Sequence, residues 1–470
     1  MFETNRSNPG KSGYPQELAR GLNLIENIAL VLSDITPMAS LLVIAPVVLS
    51  TAGSGAVIAY LLAGFVAINI ALCMGELGSV FPVAGGLYSI VTKVLGRPIG
   101  FLALLDYIGQ AIFLPASIAI GIGTYLHALD AAIPENISSA IAMALITLLA
   151  IARITANAIF VSVFLVIEIG VLTFMTVGGL IHVTQPIGIL LHPVLLVGQT
   201  ATASGALHPV TVDAILAALA AALFSVNGYD SAINFSEETK GPAANIGRAV
   251  IIACSVGVVF EIIPFVASVF GAPDLKAYLA SQTPLTWVIE QVFGTLIASL
   301  VLVGAIAAIV NATLAITLQF SRIVWASARD QAWPMPVNRA LGKVSRRFHS
   351  PWVATLLVGI CATILAYQFT LVSVVTFTSV LLVVLYALVA ISAIVHRVRS
   401  RGEATPFRMP FWPVPPLIAL IGSAVTLYEQ TYQDILTVVA IFVAGLIYYG
   451  LYLGRRGVGY APSAVPENLP

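Results

Sequence analysis

Ser33-Asp34-Ile35-Thr36-Pro37-Met38 interrupts an apolar run that extends over 27–51. Pro37 brings no backbone N–H and disfavours helical geometry at Thr36, so this run predicts a helix broken near its middle. A second run, 212–236, carries Phe224-Ser225-Val226-Asn227-Gly228-Tyr229-Asp230, a polar, glycine-containing break between two apolar stretches. A lone proline or glycine in an apolar helix usually makes only a kink; an aspartate inside both breaks lifts the signal above that bland reading. An interrupted helix leaves free N–H groups at one end and free C=O groups at the other. The N–H end attracts a carboxylate and the C=O end an ammonium or metal cation. A zwitterion complements both, and Asp34 or Asp230 adds an anion beside the amine pole.

The composition around these breaks places them in a membrane. Of 470 residues, 59% are hydrophobic and 9% charged, against roughly 25% charged in ordinary soluble domains. Crossing about 30 Å of hydrocarbon takes roughly 20 apolar residues, whose backbone must pair within its own helix. Such runs fall at 27–51, 55–80, 98–126, 138–154, 159–182, 212–236, 248–270, 294–321, 352–369, 371–396, 414–429 and 433–453. Pro284 to Phe293 reads as a short helix outside the membrane. With the N-terminus inside, every Lys and Arg except Lys276 falls on the cytoplasmic side, the bias expected of inner-membrane proteins. Both termini are therefore expected in the cytoplasm. Met1 to Arg20 holds no apolar leader, so the first helix is expected to act as the membrane signal.

Breaks in the first and sixth runs imply two repeats of five spans. The expected organisation is a cytoplasmic N-tail (1–26), a first repeat (27–182), an external loop (183–211), a second repeat (212–396), two last spans (397–455) and a cytoplasmic C-tail (456–470). The tail after Arg456 reads as disordered.

Five carboxylates fall at membrane depth, Asp34, Asp106, Glu168, Asp230 and Glu261, and no basic residue does. An ionised carboxylate there costs about 2.5–3.5 kcal/mol even on the lenient scale. Each must be protonated, face water or meet a cation from outside, which points to a transport pathway. The bland alternative, a protonated carboxyl bonded to a neighbouring helix, weighs most for Glu261, which sits near Pro264 without other support. Cys73, Cys254 and Cys361 read as small core residues. His182, His192 and His208 match no compact ligand spacing, so the external loop reads as solvated and no metal is expected. Glu237, Glu238 and Lys240, with Arg322, Arg329 and Asp330, read as a gate or surface network, and Glu76 as an interface residue. No HExxH, nucleophile elbow or phosphate loop occurs, so neither an enzyme nor a cofactor is expected. Net charge is zero and no nucleic-acid partner is indicated. A passive channel stays open as an alternative.

Gly75-Glu76-Leu77-Gly78-Ser79-Val80-Phe81-Pro82-Val83-Ala84-Gly85-Gly86-Leu87-Tyr88-Ser89 resembles the signature of the amino acid–polyamine–organocation permeases. Gly228-Tyr229-Asp230, the following Glu237-Glu238-Thr239-Lys240-Gly241-Pro242 and the Ser321-Arg322, Arg329-Asp330 and Pro334 pattern are similar to further elements of that family. Arg408, Pro410 and the Pro413 to Pro416 cluster resemble its entry to the eleventh span. The resemblance implies an all-α membrane protein of the leucine-transporter type, about twelve helices with five-plus-five inverted repeats and two added helices. It further implies a secondary transporter of amino acids in the plasma membrane, or of polyamines and other organic amines, coupled to protons or working by exchange. Carried over, the substrate contacts are Ser33, Asp34, Ile35, Thr36 and Pro37 with Asn227, Gly228, Tyr229 and Asp230, joined by Tyr107, Gln110, Asn311 and Thr313. Phe224 or Tyr229 is the implied occluding aromatic.

Two departures bear on substrate and coupling. Many members carry glycines in the first break, where the substrate carboxylate meets bare backbone; Ser33, Asp34 and Thr36 stand here instead. Glu168 falls where many proton-coupled members carry a lysine, and it is the expected proton-coupling residue. Sodium stays open as the coupling ion, since Thr313 and Thr317 can join carbonyls around it.

Overall fold

The computed structural model describes residues 23–454 apart from 83–84, 153–157, 199–204, 237–238, 346–347, 349 and 401–403. Both tails, the basic positions Arg153, Arg346, Arg347 and Arg401, and the expected gate residues Glu237 and Glu238 lie outside the described residues.

Each apolar run coincides with helix. The first helix, α1 (Leu24–Ile35), opens with a reciprocal cap: the Glu26 N–H donates to Asn23 Oδ1 at 2.9 Å and the Asn23 N–H donates to Glu26 Oε2 at 2.8 Å. It stops at Thr36, which takes the left-handed conformation (φ 45°), and α2 (Pro37–Ala52) restarts with proline in its first turn. After a turn at Gly53–Gly55 comes α3 (Ala56–Val80). A Cβ on Gly257 would meet Ile35 and one on Gly64 would meet Val258, so α3 has returned to the depth of the first break. The stretch between the second and third runs holds α4 (Gly86–Leu95), whose Tyr88 hydroxyl donates to Asp330 Oδ2 at 2.7 Å. The 33 residues of α5 (Arg97–Leu129) rise about 50 Å. That exceeds the hydrocarbon thickness, so α5 tilts or projects beyond it.

Next come α6 (Glu135–Ala152) and α7 (Ala158–Ile181), then a two-stranded antiparallel hairpin, β1 (Val194–Val197) with β2 (Ala206–Pro209), in place of an open external loop. The Val194 N–H donates to Ser54 Oγ at 2.9 Å, which pins the hairpin on the α2–α3 turn. The second broken run forms α8 (Val212–Ser225) and the single turn α9 (Ser231–Asn234), separated by residues 226–230. The remainder comprises α10 (Ala244–Phe270), the short α11 (Leu275–Ala280) and α12 (Pro284–Phe293), α13 (Thr295–Arg329), α14 (Met335–Leu341), α15 (Trp352–Gln368), α16 (Leu371–Arg399), α17 (Val414–Tyr428) and α18 (Tyr432–Tyr448). Among the described residues, eight helical stretches are long and apolar enough to cross a membrane, the first being Leu24–Val80 with its break and turn, and four shorter apolar helices accompany them. Exposed Leu148, Ile364 and Leu436 on α6, α15 and α18 belong to an apolar surface that lipid, not water, must cover.

Without a hydrophobic drive between helices in lipid, small residues and polar contacts hold the bundle. Gly75 and Gly247 let α3 and α10 touch backbone to backbone; a Cβ on Gly247 would lie 2.7 Å from the Gly75 carbonyl oxygen. Beside it Glu76, 1% exposed, receives the guanidinium of Arg397 and the Met409 N–H at 2.8 Å. Arg397 also lies over the Trp412 ring, 4.9 Å from its centroid. One carboxylate thus ties α3, α16 and the approach to α17 together.

The two breaks touch. Gly228 has φ +114°, and a Cβ there would come within 2.9 Å of Ile35 Cα and N. Only glycine satisfies both the dihedral and the approach, so this residue sets the crossing of the two interrupted helices.

Two stability outcomes follow. Gly228→Ala lowers the thermal midpoint of the detergent-purified protein, through a destabilisation of at least about 2 kcal/mol; an unshifted midpoint refutes the close crossing. Arg397→Met strands the Glu76 carboxylate and costs about 3 kcal/mol, while the Glu76→Gln/Arg397→Met pair recovers part of it in the same melting measurement.

Candidate functional site

A small cavity opens at the crossing of the breaks. Asp34, Ile35 and Ser40 line it from the first broken helix, and Phe224, Asn227, Gly228 and Asp230 from the second. Leu114 and Ile118 of α5 and Ile316, Gln319 and Phe320 of α13 complete the wall. Two carboxylates face a space whose lining includes no Lys, Arg or His.

The acids are held differently. Asp230 accepts a hydrogen bond from the Tyr107 hydroxyl, and the Tyr107 ring stands edge-on to Phe320 at 5.7 Å. Asp34 Oδ2 is buried without a hydrogen-bond partner, and its carboxylate feels the charge of Asp230, the hydroxyl of Ser231 and, less strongly, the charge of Arg322. Asn227 Oδ1 accepts from the Tyr386 hydroxyl of α16 at 2.8 Å, and the Tyr386 ring stacks on Tyr229 at 6.1 Å. The arrangement offers acceptors in excess of donors, which suits a ligand bearing N–H groups and positive charge.

Behind the cavity, each broken helix meets a further carboxylate. The Met38 N–H at the start of α2 donates to Glu168 Oε1 of α7 at 2.7 Å, and the Ala39 N–H faces the same group. At the end of α8, the Ser225 hydroxyl donates to Glu261 Oε2 of α10 at 2.6 Å and accepts from the Tyr60 hydroxyl at 3.1 Å. Glu261, which in sequence had only Pro264 for context, is therefore anchored to the second break, with its Oε1 buried and unpartnered.

The residues singled out in the sequence divide by position. Asp34, Ile35, Asn227, Gly228, Asp230 and Phe224 meet in the cavity wall. Ser33, Thr36, Pro37 and Tyr229 are buried in the breaks but outside that wall. Tyr107 reaches the site through Asp230, whereas Gln110 turns to Asp106, donating to Oδ2 at 2.9 Å. Asn311 and Thr313 are buried elsewhere on α13, the Thr313 hydroxyl donating to the Ile309 carbonyl at 2.8 Å. Sequence reading missed Ser40, Leu114, Ile118, Ile316, Gln319, Phe320 and Tyr386. The four-residue steps Gln110, Leu114, Ile118 share one helix face, a signal that extends the α5 stripe toward the cavity.

The chain from 22–452 matches the family model described as amino acid permease. It is 24% identical to the methylthioribose transporter of Bacillus subtilis over 445 residues, covering 94% of this chain and 95% of that protein. It is also 24% identical to the branched-chain amino acid permease BcaP of Lactococcus lactis, over 86% of this chain and 88% of the relative. The serine/threonine exchanger SteT of Bacillus subtilis is 24% identical over 84% of this chain and 88% of its own. A match over nearly the whole length, on a helical bundle with an apolar outer surface, places this chain in the amino acid permease family, as a multi-pass membrane transporter and not an enzyme.

Proposed function

We propose that this protein is a secondary active transporter that carries amino acids or related small amines across the plasma membrane by alternating access. The acid pair Asp34 and Asp230, facing one cavity where two interrupted helices cross, is the observation that carries this reading. The ammonium of the solute lies between the two carboxylates and the carbonyl end of α1, while Asn227 and Gln319 orient the rest. Tyr107, Gly228 and Tyr229 shape the site around it, and Phe224 closes over it. Ser33, Ile35, Thr36 and Pro37 supply the backbone of the first break; Gln110, Asn311 and Thr313 belong to the supporting helices.

In this reading twelve spans run as two inverted five-helix repeats (27–182 and 212–396) plus two further helices, with both termini in the cytoplasm. The basic residues support that orientation, because one topology places all but Lys276 on the same side. Names of the relatives support a small polar solute: branched-chain amino acids for BcaP, serine and threonine for SteT, methylthioribose for the first-mentioned transporter. An organic amine is the second reading, favoured by a lining with acids and no base. Glu168 is the coupling residue: it holds the start of α2, so gain or loss of its proton changes the grip on the helix that forms the site. Sodium coupling is the competing possibility, with Thr313 and Thr317 near α13 carbonyls as the ligands it would use.

Purified protein in liposomes shows saturable counterflow of its solute, found first by thermal-shift screening of amino acids and amines with and without sodium at two pH values. Unsaturable flux without counterflow identifies a channel and defeats the proposal. Asp34→Asn weakens binding of the amine-bearing hit roughly tenfold or more, the scale of one charge-assisted hydrogen bond; intact affinity makes Asp34 structural only. Glu168→Gln abolishes accumulation driven by an inward proton gradient, and an unchanged pH dependence of uptake rules Glu168 out as the coupling group.

A further inference from the structure

We infer that Glu168 is a specificity residue that stands in for a substrate carboxylate, so that the site selects small amines lacking a carboxylate group. This rests on the substrate position proposed above and goes on to choose between its two solute classes. The first turn of an interrupted helix is the place where a zwitterion's carboxylate would be received, because its N–H groups have no partners in the helix. In α2 every one of those groups is accounted for. Pro37 has no N–H, the Met38 N–H donates to Glu168 Oε1 at 2.7 Å, and the Ala39 N–H faces the same carboxylate. The Ser40 N–H is already bonded to the Thr36 carbonyl at 2.9 Å.

Glu168 is 3% exposed and does not line the cavity; it reaches α2 from α7, behind the break. An incoming carboxylate would have to expel it into a buried environment or settle among Asp34 and Asp230. The second observation is independent of the first: the lining contains those two acids and no Lys, Arg or His, and Arg322, whose charge acts on Asp34, stands outside it. A monoamine or diamine meets the opposite situation. Its ammonium finds Asp34, whose Oδ2 is buried and unpartnered, together with the Asn227 amide, and it carries nothing that competes for the start of α2.

Matched pairs test this, isopentylamine with leucine and cadaverine with lysine, using thermal shift of the full-length detergent-purified protein and counterflow in liposomes. The wild-type protein binds the amine of a pair at least about tenfold more tightly than its α-carboxylated partner, as expected when a buried acceptor is left to repel a like group. Glu168→Ala bares the Met38 and Ala39 N–H groups and narrows or reverses that ratio. Glu168→Gln keeps an acceptor oxygen on the same N–H groups and retains the preference for the amine. Leucine or lysine binding the wild type as tightly as its amine overturns the inference, and so does a ratio unmoved in a folded Glu168→Ala protein. Absence of counterflow for both members of both pairs counts against the proposed function itself.

Discussion

The approach of Gly228 to the backbone of Ile35 is the constraint on which the rest of this structure depends. Two helices that lose their winding at the same depth must satisfy their loose ends somewhere, since lipid offers neither donors nor acceptors. Bringing the breaks together solves the problem locally. The N–H start of α2 then meets Glu168 of α7, and side chains of the second break meet Tyr107 of α5, Glu261 of α10 and Tyr386 of α16. The contact tolerates no side chain at 228, and it places Asp34 and Asp230 on one cavity.

Four buried carboxylates follow from that geometry, and they have separate partners. Asp230 is held by Tyr107, Glu168 by the start of α2, and Glu261 by Ser225 at the end of α8, whereas Asp34 keeps an oxygen unpartnered. The acids in front of the break face the cavity; those behind it hold the half-helices in place. This division separates groups suited to a ligand from groups suited to sensing the state of the helices. It also distinguishes these acids from Glu76, which has its own cation in Arg397 and serves to join α3 to the α16–α17 connection.

A cavity rich in acceptors and poor in donors sets limits on what can occupy it. Relatives named for amino acids and one named for methylthioribose share this chain's length at about the same identity, so ancestry alone does not choose among solutes. The choice lies in which poles of the interrupted helices remain open. In α1 and α2 the carbonyl pole has acidic company, and the N–H pole is filled from within the protein.

The sequence by itself determined where helices form and where they stop. Apolar runs long enough for a bilayer became α-helices because only a helix pairs every backbone group within its own segment, and Pro37 and Gly228 marked the breaks because each forbids or escapes ordinary helical geometry. Asp34 and Asp230 were conspicuous for the same local reason, as charges among apolar residues. Tertiary structure alone decided the partners. Glu168 lies 130 residues from Met38 and Glu261 lies 36 from Ser225, separations at which no helical period or turn rule applies. The placement of Gln319 and Phe320 in the wall, rather than Asn311 and Thr313, depended on the rotation and tilt of α13, which its neighbours set and which its own sequence, with Asn311, Thr313 and Gln319 on different sides of the helix, does not encode.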